Sequence, residues 1–213
     1  MHYNALIFDF DGTIADTLSE GARIYNLLAR ENGFREVARE DIPHLRSLDT
    51  KHLLHHLHIP KRKLPVLLSK GRRLLKNSIR YQPLIQGMAA TLPRLREAAD
   101  CFGILTSNAP DNVEAFLDCH NIRHLFTFIS TTTKLSGKSK HLRSIARTFS
   151  LEASLMLFVG DEIRDVRAAH KARVASAAVT WGLNSRESLA AERPNYLLEA
   201  PSELEHVCGL PTH

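Results

Sequence analysis

Three short apolar runs in this chain end abruptly in polar clusters. Ala5-Leu6-Ile7-Phe8 runs into Asp9-Phe10-Asp11-Gly12-Thr13, Phe102-Gly103-Ile104-Leu105 into Thr106-Ser107-Asn108, and Leu155-Met156-Leu157-Phe158-Val159 into Gly160-Asp161-Glu162-Ile163-Arg164-Asp165. Runs this short and this apolar read as strands buried on both faces. From residue 102 onward strands and helices alternate: strands at 102–105, 125–130, 155–159 and 174–180, with helices at 110–119, 138–149 and 164–172 between them. That alternation predicts an α/β fold with a parallel sheet and right-handed crossovers. Tyr196-Leu197-Leu198 and Pro201 to Val207 add one more strand and a closing helix. In such a sheet a binding site forms in the crevice outside the carboxyl ends of the strands, which is where the polar clusters stand.

The stretch after the first strand has a different character. Leu18, Ile24, Leu27 and Leu28 recur at near-helical spacing from Thr17 to Asn32, and Gly33 follows as a stop. Arg39 to Leu57 and Lys63 to Ile79 continue in helical style, broken at Pro60 and Pro65. A helical domain over 17–82 is therefore expected, inserted into a core of 1–16 and 83–213. Its crossings, Asp16 to Ser19 and Tyr81 to Leu84, lie where a lid over the crevice would hinge. Gly87 and Met88 then open a helix, Ala89 to Ala99, that leads back to the sheet.

Composition narrows the function classes. The chain is 44% hydrophobic and 24% charged, with no apolar run near the length of a membrane span. The first strand begins almost at once, with no basic region or apolar signal core before it, so the cytoplasm is the expected location. Cys101, Cys119 and Cys208 show no metal or redox spacing and are expected to be reduced. The net charge of +5 is concentrated from Pro43 to Tyr81, where ten Lys or Arg face the single Asp49. Such a segment suits an anionic substrate, nucleic acid or an acidic surface, and equally a solvated helical face. His52, His55, His56 and His58 are spaced somewhat like a transition-metal site, but only Asp49 is near to complete a set, so a solvated or substrate-facing helix is expected.

The acids at the strand ends carry the chemistry. Asp9 and Asp11 are two residues apart and so leave the first strand on one side, where they repel unless a cation neutralises one or one keeps a proton. Gly12 permits a close backbone approach to a ligand, and Thr13 offers a hydroxyl and an amide. An isolated Asp-x-Asp-Gly also fits a tight strand-capping turn, and Gly160-Asp161-Glu162 or Thr106-Ser107-Asn108 a helix N-cap. The order of the stations, with Ser136-Gly137-Lys138-Ser139-Lys140 between the second and the last, separates these readings.

That four-part set, covering nearly the whole chain, resembles the haloacid dehalogenase-like hydrolase superfamily and its phosphoglycolate phosphatase-like branch. The resemblance implies a Rossmann-like parallel core with a helical cap. It implies Asp9 as a nucleophile that forms an aspartyl-phosphate, with Asp11 as acid and then base. Thr106, Ser107, Lys138, Gly12 and Thr13 would hold the phosphoryl group, with Lys138 favoured over Lys140 by its spacing to Asp161. Mg²⁺ would be held by Asp9, the Asp11 carbonyl, Asp161 and Asp165, with Glu162 as a further contributor. The expected activity is hydrolysis of a small phosphomonoester; transfer between sugar hydroxyls, as in related phosphoglucomutases, is the alternative. A non-catalytic protein binding nucleic acid or an acidic partner through its basic cap is a third reading, with filled catalytic positions against it. Trp181-Gly182, after the last long strand, either lines the mouth of the crevice or packs at a turn.

Overall fold

The structure is a computed structural model that describes residues 3–132 and 137–211. Six strands, β1 (Ala5–Phe8), β2 (Cys101–Thr106), β3 (Phe128–Thr131), β4 (Met156–Gly160), β5 (Ala175–Val179) and β6 (Tyr196–Leu198), form one sheet in the order β3-β2-β1-β4-β5-β6. Every neighbouring pair is parallel. The order reverses beside β1, which pairs with β2 on one edge and β4 on the other. That reversal opens a crevice at the carboxyl ends of β1 and β4.

Alternation within β1 shows why its four residues are all apolar. Leu6 and Phe8 pack into the larger core with Phe102, Ile104, Leu157 and Val159, while Ala5 and Ile7 face the opposite layer with Leu105, Met156 and Phe158. The first layer is closed by α5 (Met88–Glu97), α6 (Pro110–Cys119) and α10 (Glu203–Val207), through Leu92, Phe116 and Leu204. The second is closed by α7 (Lys138–Thr148) and α8 (Ile163–Ala172), through Leu142, Ile145 and Ala169. With both faces covered, no polar residue is tolerated until the strand ends, and Asp9 is the first beyond it.

Between β1 and α5 run α1 (Leu18–Asn32), α2 (Ile42–Arg46), α3 (Thr50–His56) and α4 (Leu64–Leu75). They bury an apolar cluster of their own, built from Ile24, Leu28, Leu45, Leu57, Ile59 and Leu67. The two chain crossings to this unit lie side by side: Asp16 N–H donates to the Pro83 carbonyl at 2.9 Å, Ile85 N–H donates to Ile14 at 2.9 Å, and Ala15 bridges Leu84.

Local boundaries differ from expectation in several places: β3 begins at Phe128 rather than 125, after a 3-10 turn over Arg123–Leu125, and α4 ends at Leu75 rather than Ile79. Pro65 does not break a helix; it sits in the first turn of α4, where its missing N–H would have had no intrahelical partner. The break falls instead before Asp49, whose carboxylate accepts the His52 N–H at 3.0 Å and caps α3. A further helix, α9 (Arg186–Ala191), was not anticipated; Ser185 caps it by accepting the Ser188 N–H at 3.3 Å. Among the described residues, no helix is long and apolar enough to cross a membrane.

Candidate active site

Three buried side chains define the floor of the crevice. Lys138, the first residue of α7, is 1% exposed, and its ammonium donates to Asp9 Oδ2 at 2.5 Å and to Asp165 Oδ1 at 2.7 Å. Asp9 and Asp165 are each 2% exposed, and the other Asp9 oxygen accepts the Phe10 N–H at 2.7 Å. Burial works against the ammonium's charge, but Asp165 and Asp9 outweigh it and the Lys138 pKa is raised. Asp165 is pushed up to about 7, by burial first and then by the charges of Asp9 and Glu162, with Lys138 opposing. Gly160 is required here, because a Cβ would lie 2.6 Å from Asp165 Oδ2. Lys140 is exposed, and Ser136 of the same segment lies outside the described residues.

Asp161 closes the end of β4 and is 1% exposed. Its carboxylate accepts the Thr13 hydroxyl at 2.8 Å and the Leu183 N–H at 2.7 Å. Burial, then the charges of Glu162, Asp9 and Asp165, hold it well above the usual carboxylate range. Gly12, at φ +74°, and Gly182 both pass so close to this carboxylate that a Cβ at either would overlap it. Carboxylate oxygens of Asp9, Glu162 and Asp165 lie within 4.8 Å of one another.

Asp11 faces the other wall. It accepts the Thr17 hydroxyl at 2.9 Å and the Asn108 amide at 3.0 and 3.2 Å. Burial first, and then the Asp9 charge, raise its pKa to about 6. Phe10, edge-on to Phe116 at 5.1 Å, fills the core between the two aspartates. Thr106 is buried and its hydroxyl oxygen accepts the Asn108 N–H at 3.0 Å, which leaves its O–H able to donate. Ser107 Oγ receives the Arg164 guanidinium at 3.5 Å, and that guanidinium is also paired with Glu162.

Residues without a sequence signal complete the site. Arg46, at the end of α2, donates to the carbonyls of Thr180 at 3.0 Å, Gly182 at 3.0 Å and Leu183 at 3.2 Å. Asn184 returns the contact, donating to the carbonyls of Arg46 and Leu48 at 3.0 Å each while its own carbonyl oxygen accepts Ile163 N–H at 2.9 Å. The helical insertion thus grips the loop that holds Asp161. Trp181 is partly buried on that loop, packed against the larger core, with its indole N–H on the Thr13 carbonyl at 3.2 Å. The histidines of 52–58 do not gather: among the described residues the one group of metal-ligating side chains is acidic, and His52 pairs with Asp49 at 2.7 Å. Cys101 and Cys208 are buried, which raises both thiols, and Cys119 is exposed; all three are free.

Comparison with known proteins identifies the family. The family model described as haloacid dehalogenase-like hydrolase matches residues 6–179. The chain is 35% identical over 200 residues to a phosphoglycolate phosphatase of Synechococcus elongatus, covering 94% of each chain. It is 26% identical to the pyrophosphatase PpaX of Bacillus velezensis, over 97% of this chain and 96% of that one. A solved haloacid dehalogenase-like family hydrolase of Streptococcus pneumoniae superposes with a TM-score of 0.80 at 20% identity, over 96% of this chain and 98% of its own. With the family model spanning most of its length, the chain belongs to the haloacid dehalogenase-like hydrolases.

Proposed function

We propose that this protein is a Mg²⁺-dependent phosphatase that hydrolyses a small phosphomonoester through a phospho-aspartate on Asp9. The observation that carries the reading is the Lys138 ammonium held between Asp9 and Asp165 at 2.5 and 2.7 Å. A buried lysine with two carboxylate partners orients Asp9 for attack and offsets the charge of an incoming phosphoryl group. The names of the relatives, phosphoglycolate phosphatase and pyrophosphatase, support phosphorus as the reacting atom.

In this mechanism an Asp9 oxygen attacks phosphorus in line, and the ester oxygen leaves with a proton from Asp11. Asp11 then takes a proton from water, which attacks the phosphorus of the intermediate and regenerates Asp9. Thr17 and Asn108 fix Asp11 for both steps. The Thr106 hydroxyl, Ser107, Lys138 and the backbone at Gly12 and Thr13 hold the phosphoryl oxygens. The Thr13 hydroxyl is spent on Asp161, so its part in phosphate binding falls to the backbone.

The donor set fits a hard divalent cation. Asp9, Glu162 and Asp165 bring carboxylate oxygens within 4.8 Å of one another, and Asp11 and Asp161 each feel the charge of Asp9, whereas the bonded cations there among the described residues are Lys138 and Arg164. Asp9, the Asp11 carbonyl, Asp161 and Asp165, with Glu162 beside them, would hold Mg²⁺, which when bound supplies charge neutralisation at the phosphoryl oxygens. The insertion over 17–82 is assigned as a cap on the core of 1–16 and 83–213, hinged at its paired crossings. The substrate is a small phosphorylated metabolite, handled without a membrane.

Phosphate release from a panel of phosphorylated metabolites, with Mg²⁺ and with excess chelator, tests the reading. Release is expected only with the metal, and Asp9→Asn is expected to lower it by at least about 10³-fold. Equal turnover in chelator, or an active Asp9→Asn variant, contradicts it.

A further inference from the structure

A buried side chain outside the acidic cluster touches both the insertion and the segment that opens α8. Asn184 is 3% exposed. Its Oδ1 accepts the Ile163 N–H at 2.9 Å, and its Nδ2 donates to the carbonyls of Arg46 and Leu48 at 3.0 Å each. Its own backbone N–H donates to the Asp161 carbonyl at 3.2 Å. Only this orientation of the amide serves: reversed, its oxygen would face two carbonyls and its NH₂ a backbone N–H.

Partners on both sides include helix ends. Ile163 is the first residue of α8, so its N–H has no acceptor within that helix, and Arg46 is the last residue of α2, so its carbonyl has no donor within that one. Asn184 supplies an acceptor to one end and a donor to the other. On the core side it brackets Glu162, holding the Asp161 carbonyl before it and the Ile163 N–H after it, two residues ahead of Asp165. On the side of the insertion it holds the turn between α2 and α3, where the Ser185 N–H at 2.8 Å and the Ser188 hydroxyl at 3.3 Å also donate to the Arg46 carbonyl. Arg167 of α8 reaches Asp49 of the same turn at 3.5 Å, but that arginine is exposed and the pair adds little.

The segment that carries Asp161 and Asp165 is thus fixed by the same amide that fastens the insertion. We propose that Asn184 is a positioning residue that couples the seating of the insertion on the core to metal binding by Asp161 and Asp165. The inference rests on the metal-dependent reading above and adds a residue that is not itself one of the ligands. Linkage makes the coupling reciprocal: if the seated insertion tightens the ion, the ion fastens the insertion by the same factor. Losing a residue that orients metal ligands typically costs about 10–100-fold in affinity.

Hydrogen exchange read by mass spectrometry tests this on the substrate-free protein with Mg²⁺ alone, beside calorimetry of Mg²⁺ binding. In the wild type, Mg²⁺ is expected to slow exchange over residues 42–50 by about tenfold, well beyond any change in β3 and β6 at the two edges of the sheet. Asn184→Ala is expected to reduce that slowing to less than about twofold and to weaken Mg²⁺ binding by about tenfold or more. Asn184→Asp keeps an acceptor for Ile163 and lacks both donors to the insertion, so it too is expected to lose the slowing over 42–50. No slowing over 42–50 in the wild type, or slowing spread evenly over the chain as general stabilisation by a bound ion gives, overturns the coupling without recourse to a variant. Slowing that survives in either variant, or unchanged affinity in Asn184→Ala, overturns the role of Asn184. Should Mg²⁺ bind with the expected response while no phosphate is released from the metabolite panel, the coupling stands and the phosphatase reading falls; absence of Mg²⁺ binding overturns both.

Discussion

At the scale of single residues, the acids of this site are governed by what surrounds them more than by their own chemistry. Asp9 and Asp165 share one ammonium, whereas among the described residues the donors to Asp161 are uncharged, the Thr13 hydroxyl and the Leu183 N–H. Burial then works on Asp161 without a bonded cation to oppose it, and its pKa rises well above the usual range. The cradle around it depends on glycine: a Cβ at 182 would meet the Cβ as well as the carboxylate of Asp161. Gly182→Ala is therefore expected to displace Asp161, lowering phosphatase activity by at least about tenfold and stability by about 1–3 kcal/mol. Kinetics and urea denaturation check this together; wild-type values in both would show that the loop yields at no cost.

At the scale of elements, the contact between α2 and the loop after β5 deserves a direct test, because it ties the insertion to the site. Arg46→Ala removes the donor from three carbonyls of that loop, two of them flanking the Leu183 N–H that holds Asp161. Trp181, the only tryptophan, sits on the same loop and reports its environment. The variant is expected to shift tryptophan emission to the red and weaken binding of the proposed Mg²⁺ by about 10–100-fold, as measured by fluorescence and calorimetry. Unchanged emission and affinity would mean that the loop holds Asp161 without the insertion. The Arg46 contact was not legible in the sequence, although Trp181-Gly182 and Asp161 were. Asp9, Asp11, Thr106, Lys138, Asp161 and Asp165 could be singled out because they stand in the order and spacing of the four-part set that carries the family resemblance. Arg46 lies in a run of basic residues, and Leu183 acts through its backbone, which any residue supplies. The sheet was readable because strands covered on both faces leave uninterrupted apolar runs. The missed helix α9 has six residues and a serine cap, too little periodicity to stand out. Pro65 misled because the same residue that breaks a helix interior is tolerated in a first turn.

At the scale of the whole molecule, the fold brings together groups that are far apart in the chain. The reversal of strand order beside β1 sets the ends of β1 and β4 next to each other, and α7 delivers Lys138 between them. The insertion leaves and re-enters through crossings joined by backbone hydrogen bonds. In the proposed reaction one carboxylate, that of Asp9, is modified and restored within each cycle. The most direct measurement is acid quenching of the enzyme during turnover with Mg²⁺, followed by mass spectrometry to locate covalent phosphate. A phosphoryl adduct on Asp9, absent from Asp9→Asn, is the predicted result; an adduct on another residue, or phosphate release by Asp9→Asn at the wild-type rate, would contradict the account.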